Sequence, residues 1–224
     1  MPHEMTSTLS AVASAKAEWA MLISLGAFHG LNPGMGWLFA VALGLQERRR
    51  GAVLRALLPL GAGHALAVAG AVGVALVIGA VVPIRELRWL IAGVLVSLGV
   101  MRLFRHRHPR WVGMRVGMGG LMVWSFLMGT AHGAGLMVVP VFVRMSMAGG
   151  DGHAHHAGAV AGTNAGVALL ATGLHAVSYL AVTAFIAVLV FEKFGVGILR
   201  RAWFNLDLIW AGALVATGVA TVVM

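Results

Sequence analysis

The sequence predicts an all-α integral membrane protein: six transmembrane helices built as an inverted 3+3 repeat, with helices 1 and 4 broken. Three observations lead there. The chain has 224 residues, is 60% hydrophobic and carries only seven acidic residues, a composition outside that of soluble globular domains. Its apolar blocks are long enough to cross a hydrocarbon core of about 30 Å, which takes roughly 20 residues. Three landmarks also recur in the same order in the two halves, as an internal repeat requires.

The blocks are residues 17–46, 52–82, 86–104, 117–147, 160–191 and 202–223. A polar N-terminal stub, 1–16, precedes a single membrane domain, 17–224. The stub offers an Ala13-Ser14-Ala15 triplet but lacks the basic start and continuous apolar run of a signal peptide, so it is expected to be retained. Blocks one and four run to about 30 residues. As straight helices they would measure about 45 Å, too long to span without tilt or interruption.

Both contain their own breakers. In the first, "GAFHGLNPGMGW" at 26–37 brings Pro33, which has no backbone donor, together with Gly30, Gly34 and Gly36. In lipid such a break is tolerated only where the freed backbone groups face protein or a wet cavity, so a cavity is expected. The fourth block carries the counterpart, "GTAHGAGLMVVP" at 129–140, where "AHG" at 131–133 pairs with "FHG" at 28–30. In the second and fifth blocks "GAGHA" at 61–65 pairs with "TGLHA" at 172–176. In the third and sixth, "AGVLVSLGV" at 92–100 matches "AGALVATGV" at 211–219 at six of nine positions. The His-to-His interval is 35 residues in the first half and 43 in the second, an excess of eight that matches the insert "GGDGHAHH" at 149–156. A three-span unit, about 17–104, must reverse orientation in its second copy, about 117–224. Folds of that construction hold their site near the midplane, where discontinuous helices meet.

The formal net charge is +9, but the arginines lie in short loops at helix ends and form no basic face, so the expected partner is the lipid bilayer and not nucleic acid. Twelve cations, Arg48, Arg49, Arg50, Arg55, Arg102, Arg105, Arg107, Arg110, Arg115, Lys193, Arg200 and Arg201, fall on one side and four, Lys16, Arg85, Arg88 and Arg144, on the other. The positive-inside rule then predicts a multi-pass protein of a bacterial-type inner (plasma) membrane, with both termini and the 148–160 loop extracytoplasmic. The absence of cysteine excludes disulfides, thiolate metal sites and thiol relays.

Deep in the spans the polar residues are few. His29, Asn32 and Met35 follow one another at intervals of three, and His64, His132 and His175 lie in spans two, four and five. No Asp, Glu, Lys or Arg is expected at that depth, Asp207 being interfacial. A single intramembrane histidine commonly ties two helices together, whereas four, paired by the repeat, point to a substrate or proton path. Neutral imidazole suits Ni, Co, Cu and Zn. The expected metal site at the midplane is therefore His29, Asn32, Met35, His64, His132 and His175. A weaker one, Asp151, His153, His155 and His156, lies on the outer loop, since short His-rich tracts collect or deliver metal. Proton-coupled transport of a small solute, with the histidines as relay, uses the same residues. No Ser/His/Asp or paired-carboxylate arrangement is present, so no enzyme is expected.

The motif "HGLNPGMG" at 29–36 followed by "GHA" at 63–65 resembles the nickel/cobalt transporters of the NicO and HoxN type, within the wider lysine-exporter-like superfamily of inverted three-helix repeats. The resemblance covers the first two spans and reaches the rest through the repeat. It implies a secondary transporter or permease for a transition-metal cation, with no permanent cofactor and the ion as substrate. His29 and His64 take the positions of family ligands, and 151–156 resembles the family's His-rich segment. Where the family has a second histidine this chain has Met35, a thioether that brings copper among the expected cargoes. The alternatives are an amino-acid or small organic solute exporter or antiporter of the same superfamily, and a non-transporting accessory protein for metalloenzyme maturation. Gly-rich helix faces would permit a homo-oligomer.

Overall fold

The structure is a computed structural model that describes residues 2–79, 81–104, 117–148, 165–194 and 206–223. Among them are eight α-helices and no strand: α1 (Pro2–Leu31), α2 (Trp37–Glu47), α3 (Arg50–Gly79), α4 (Ile84–Phe104), α5 (Met118–Ala131), α6 (Ala134–Ala148), α7 (Ala165–Lys193) and α8 (Leu206–Val223), with a 3-10 turn, Pro33–Met35, between α1 and α2. Three segments are long and apolar enough to cross a membrane: Arg50–Gly79, Arg85–Phe104 and Gly166–Lys193. A fourth is added if α5 and α6, bent by 60° across their break, are counted as one span. The stub does not stand apart, because α1 begins at Pro2 and runs through it.

The exposed surface is apolar. Along α3, Leu54, Leu58, Leu66, Val74 and Val77 all face outward, an arrangement that water disfavours and hydrocarbon accommodates. Between helices the contacts rest on small residues, as expected where lipid supplies no hydrophobic drive to association. Gly26 and Gly30 bring α1 against the backbone of α7 at His175 and Tyr179, and Gly63 brings α3 against Met122 and Phe126 of α5. α4 and α8 cross reciprocally. Gly99 of α4 faces Ala211 and Val215 of α8, and Gly218 of α8 faces Ala92 and Val96 of α4. These are corresponding residues of the two matched nonapeptides.

The bundle has two charged ends. At one, Glu47 pairs with Arg49 and Arg55 at 2.7 Å each, and Arg50 with Glu192 at 3.1 Å, joining the α2–α3 corner to the end of α7. At the other, Arg144 of α6 reaches Glu18 of α1 at 3.5 Å, and Arg88 of α4 donates to the Thr221 carbonyl of α8 at 3.2 Å. α1 and α7 run side by side, with His175 level with Leu22. Glu192 then lies about 25 Å along α7 beyond His175, and Glu18 about 6 Å the other way along α1. The ends are thus separated by about one hydrocarbon thickness, with His29 near halfway.

Two outcomes follow. A Cβ on Gly99 would come within 2.9 Å of the Ala211 carbonyl oxygen and one on Gly218 within 3.1 Å of that of Ala92, so Gly99→Val and Gly218→Val should each cost about 1–3 kcal/mol. Gly93→Ala and Gly212→Ala, with open space around them, should cost nothing; thermal unfolding in detergent measures the contrast. The second concerns Glu47, whose carboxyl is held below its ordinary range first by the hydrogen bond from Arg49, then, against the opposing effect of desolvation, by the charges of Arg55 and Arg49. A folded-state value below the unfolded one adds stability that is present above the ordinary carboxyl range and lost as pH falls through the folded value. The stability gap between the wild type and Glu47→Gln, small because the pair is exposed, should therefore close as the pH is taken into the acid range and also as salt is added.

Candidate functional site

The two helix breaks lie at the centre of the bundle, and each is built from a glycine with positive φ. Gly36, at φ 147°, ends the 3-10 turn after α1, and Gly133, at φ 70°, joins α5 to α6. Only glycine adopts the first conformation at no steric cost. Side-chain donors meet the carbonyls that the breaks release. At the first break Trp37 Nε1 donates to Leu31 at 3.0 Å, Trp124 Nε1 of α5 to Gly34 at 3.1 Å, and the Tyr179 hydroxyl of α7 to Met35 at 2.7 Å. At the second, Trp210 Nε1 of α8 donates to His132 at 2.8 Å and Arg102 Nη2 of α4 to Ala131 at 2.7 Å. The expected cavity is therefore not what satisfies these groups; protein is.

Three imidazoles converge beside the first break. The ring of His29 lies 5.6 Å from that of His64 and 5.1 Å from that of His175, centroid to centroid, and His64 and His175 are stacked at 5.4 Å. All three are fully buried. His29 Nδ1 bonds the Leu25 carbonyl of its own helix, and His175 Nδ1 bonds the Leu22 carbonyl of α1 at 3.2 Å. A carbonyl only accepts, so both rings carry their proton on Nδ1 and offer a lone pair at Nε2. His64 Nε2 stands 3.3 Å from His175 Nε2, and in neutral rings that contact requires His64 to donate. The consequence is two lone pairs, at His29 Nε2 and His64 Nδ1, that are buried without a hydrogen-bond partner. Such a vacancy ordinarily costs about 1–3 kcal/mol.

Tyr179 stacks on His64 with centroids 3.9 Å apart, while Trp210 is stacked on Phe28 at 4.7 Å and presents itself edge-on to both His29 and His132. His132 makes the same bond that His29 makes, from Nδ1 to the carbonyl four residues back, here Met128 at 2.9 Å. It meets Trp210 and does not join the three-ring cluster. Asn32 is turned to a local task, since its Oδ1 accepts from the Gly34 amide at 2.9 Å and caps the 3-10 turn. Met35 is buried in the apolar core, with its carbonyl taken by Tyr179. Of the six expected midplane residues, then, three converge, His132 is one aromatic ring away, and Asn32 and Met35 belong to the break itself. Asp151, His153, His155 and His156 lie outside the described residues. Among the described residues no group of three or more His, Asp or Glu side chains is posed to hold an ion as it stands.

Two charged residues make contacts that the sequence does not reveal. Arg102, in the last turn of α4, reaches to the break and donates to the Ala131 carbonyl that the end of α5 leaves free of the helix ladder. Glu18, at one charged end of the bundle, faces inward and is only 5% exposed. The aromatic donors escaped the sequence reading too. Their signal was available: Trp and Tyr in mid-span need a partner for the N–H or O–H.

No protein-family model matches the chain, and neither a curated protein nor a solved structure matches it.

The assigned protonation pattern is directly measurable. ¹⁵N NMR of histidine-labelled protein should show Nδ1–H tautomers for His29 and His175 and an Nε2–H tautomer for His64; substitution of His175 should release His64 from that form. An Nδ1–H tautomer for His64 in the wild type would contradict the network.

Proposed function

We propose that the chain is a secondary transporter or permease that moves a transition-metal cation through the His29, His64 and His175 cluster. The observation that carries this reading is the convergence of three buried neutral imidazoles from α1, α3 and α7, two of them oriented by backbone carbonyls, with lone pairs left unmet. A backbone carbonyl on Nδ1 is the outer-shell contact that aims Nε2 at a metal. Two nitrogens at about 2.0–2.1 Å from a tetrahedral ion stand about 3.3 Å apart, the separation of the His64 and His175 Nε2 atoms. Ion binding then replaces the hydrogen bond between them: His64 shifts its proton to Nδ1, and His29 Nε2 turns in as the third ligand. The ligand set favours Ni, Co, Cu or Zn over hard cations.

Six spans as an inverted 3+3 repeat complete the reading, with α1–α2 and α5–α6 as the broken helices. Its support is the reciprocal crossing of α4 and α8 at corresponding residues, the identical Nδ1 bonds of His29 and His132, and the exchange of partners that pairs α1 with α7 as it pairs α3 with α5. By the charge bias, the Glu47 end faces the cytoplasm and the Glu18 end the outside of a bacterial-type inner membrane. The breaks are the moving parts, and they expose the midplane alternately to each side.

One observation favours a second reading. The three rings are not posed around an ion, and unmet lone pairs also accept hydrogen bonds from the ammonium or hydroxyl of an organic solute.

In proteoliposomes, His29→Ala, His64→Ala and His175→Ala should each cut the flux of the ion carried, among Ni, Co, Cu and Zn, by about tenfold or more, the scale on which even outer-shell partners of metal sites act. His132→Ala should cost less. Unchanged flux of all four ions in the first three variants, with labelled amino-acid flux reduced, would move the assignment to the organic solute.

A further inference from the structure

On α7, His175, Tyr179 and Thr183 follow one another at intervals of four, which sets them on one face of the helix with about 6 Å between neighbours. All three are fully buried. His175 belongs to the imidazole cluster. Tyr179 reaches two other elements at once: its ring lies on that of His64 with the planes 19° apart, and its hydroxyl donates to the Met35 carbonyl at the end of the 3-10 turn. Around Gly36, the hinge of the first break, the space is filled by Leu60 and by that same hydroxyl, 3.2 Å from where a Cβ would stand. Tyr179 is thus a strut between one ring of the cluster and the hinge.

Thr183 is the anomaly on this face. A threonine inside a helix commonly bonds the carbonyl four residues back, and Thr130, Thr217 and Thr221 do so at 2.7 to 2.9 Å. Thr183 Oγ1, although buried, has no hydrogen-bond partner. The carbonyl four back is that of Tyr179, and Gly30 of α1, just before the break, is packed against it. The Thr183 hydroxyl stands near enough to that of Tyr179 to act on it, without being aligned to bond it. Ser125 is also in reach but is already engaged, since its Oγ donates to the Leu60 carbonyl at 2.7 Å.

A phenol has one proton to donate. In the conformation seen it goes to Met35; a break that moves takes that carbonyl away, and a buried O–H left without an acceptor would oppose the movement. We propose that Tyr179 is the positioning residue that couples the imidazole cluster to the first break, and that Thr183 Oγ1 is the second acceptor for its hydroxyl, taken when the Met35 carbonyl departs. This rests on the transport reading above. The O–H turns about its C–O bond while the ring stays stacked on His64, so no covalent bond changes and the proton keeps its oxygen. The threonine hydroxyl that is unpaired in one conformation is paired in the other, which narrows the free-energy gap between the two from both ends.

The test joins flux of Ni²⁺, Co²⁺, Cu²⁺ and Zn²⁺, each supplied alone to proteoliposomes, with thermal unfolding in detergent. Thr183→Val keeps the shape of the side chain and removes its hydroxyl. It should lower kcat for the ion carried about tenfold, the scale of one buried hydrogen bond, with KM little changed and Tm unchanged or raised, since an unmet buried group is gone. Thr183→Ser, which keeps the hydroxyl, should keep the wild-type kcat. Tyr179→Phe, which keeps the ring stack, should lower kcat as well, and adding Thr183→Val to it should lower kcat no further, because the two act through one bond. Wild-type kcat in Thr183→Val overturns the coupling, as does additive loss in the double variant. So does a kcat that falls only together with Tm, which describes a packing role. If Tyr179→Phe fails to fold, the contrast between Thr183→Val and Thr183→Ser decides alone. Flux that survives His29→Ala and His64→Ala overturns the transport reading instead, so the two failures are distinct.

Discussion

A helix interrupted inside hydrocarbon must find donors for the carbonyls it releases, and the rest of this architecture follows from that requirement. Five carbonyls at the two breaks are met by Trp37, Trp124, Tyr179, Trp210 and Arg102. Four of these five donors come from outside the broken pair they serve, so the breaks are also the points at which α4, α5, α7 and α8 are registered against α1–α2 and α5–α6. The same aromatic residues form the walls around the imidazoles: Tyr179 is stacked on His64, and Trp210 lies edge-on to His29. Backbone satisfaction and site construction are thus one structure.

Much of this could be read from the sequence because its signals are local. The apolar blocks and the Gly/Pro interruption at 30–36 depend on neighbours in the chain; the described residues are helical, three or four segments are long and apolar enough to span, and breaks follow Leu31 and Ala131. What was not legible depends on three-dimensional direction. Asn32 and His29 are three apart, yet one caps a turn and the other faces α3 and α7, because the 3-10 turn abandons helical periodicity after Leu31. His132 makes the same Nδ1 bond as His29, but its ring meets the edge of Trp210 and lies outside the three-ring cluster. Arg102 and Glu18 share a limit of the sequence: a position along a helix does not reveal which way a long side chain leans or which helix lies opposite.

The two charged ends give the bundle its scale. With Glu18 and Arg144 at one level and Glu47, Arg50 and Glu192 at the other, polar contacts bracket about one hydrocarbon thickness. Between them the closest helix contacts are made by small residues facing backbone, beside a core that includes Trp210, Tyr179 and Phe142. The glycine contacts let helix backbones approach closely.

The bond between His64 and His175 has a consequence for discrimination. Two imidazoles joined to each other form a resting state that any ligand must outcompete, so a threshold is built into the cluster. Abundant hard cations such as Mg²⁺ and Ca²⁺ seek oxygen and hold their water tightly; they would gain only nitrogen and so fall short of that threshold. Ions with a real preference for nitrogen exceed it. On the transport reading proposed above, the bond between the two rings would compete against the ions that most outnumber a nitrogen-preferring cargo.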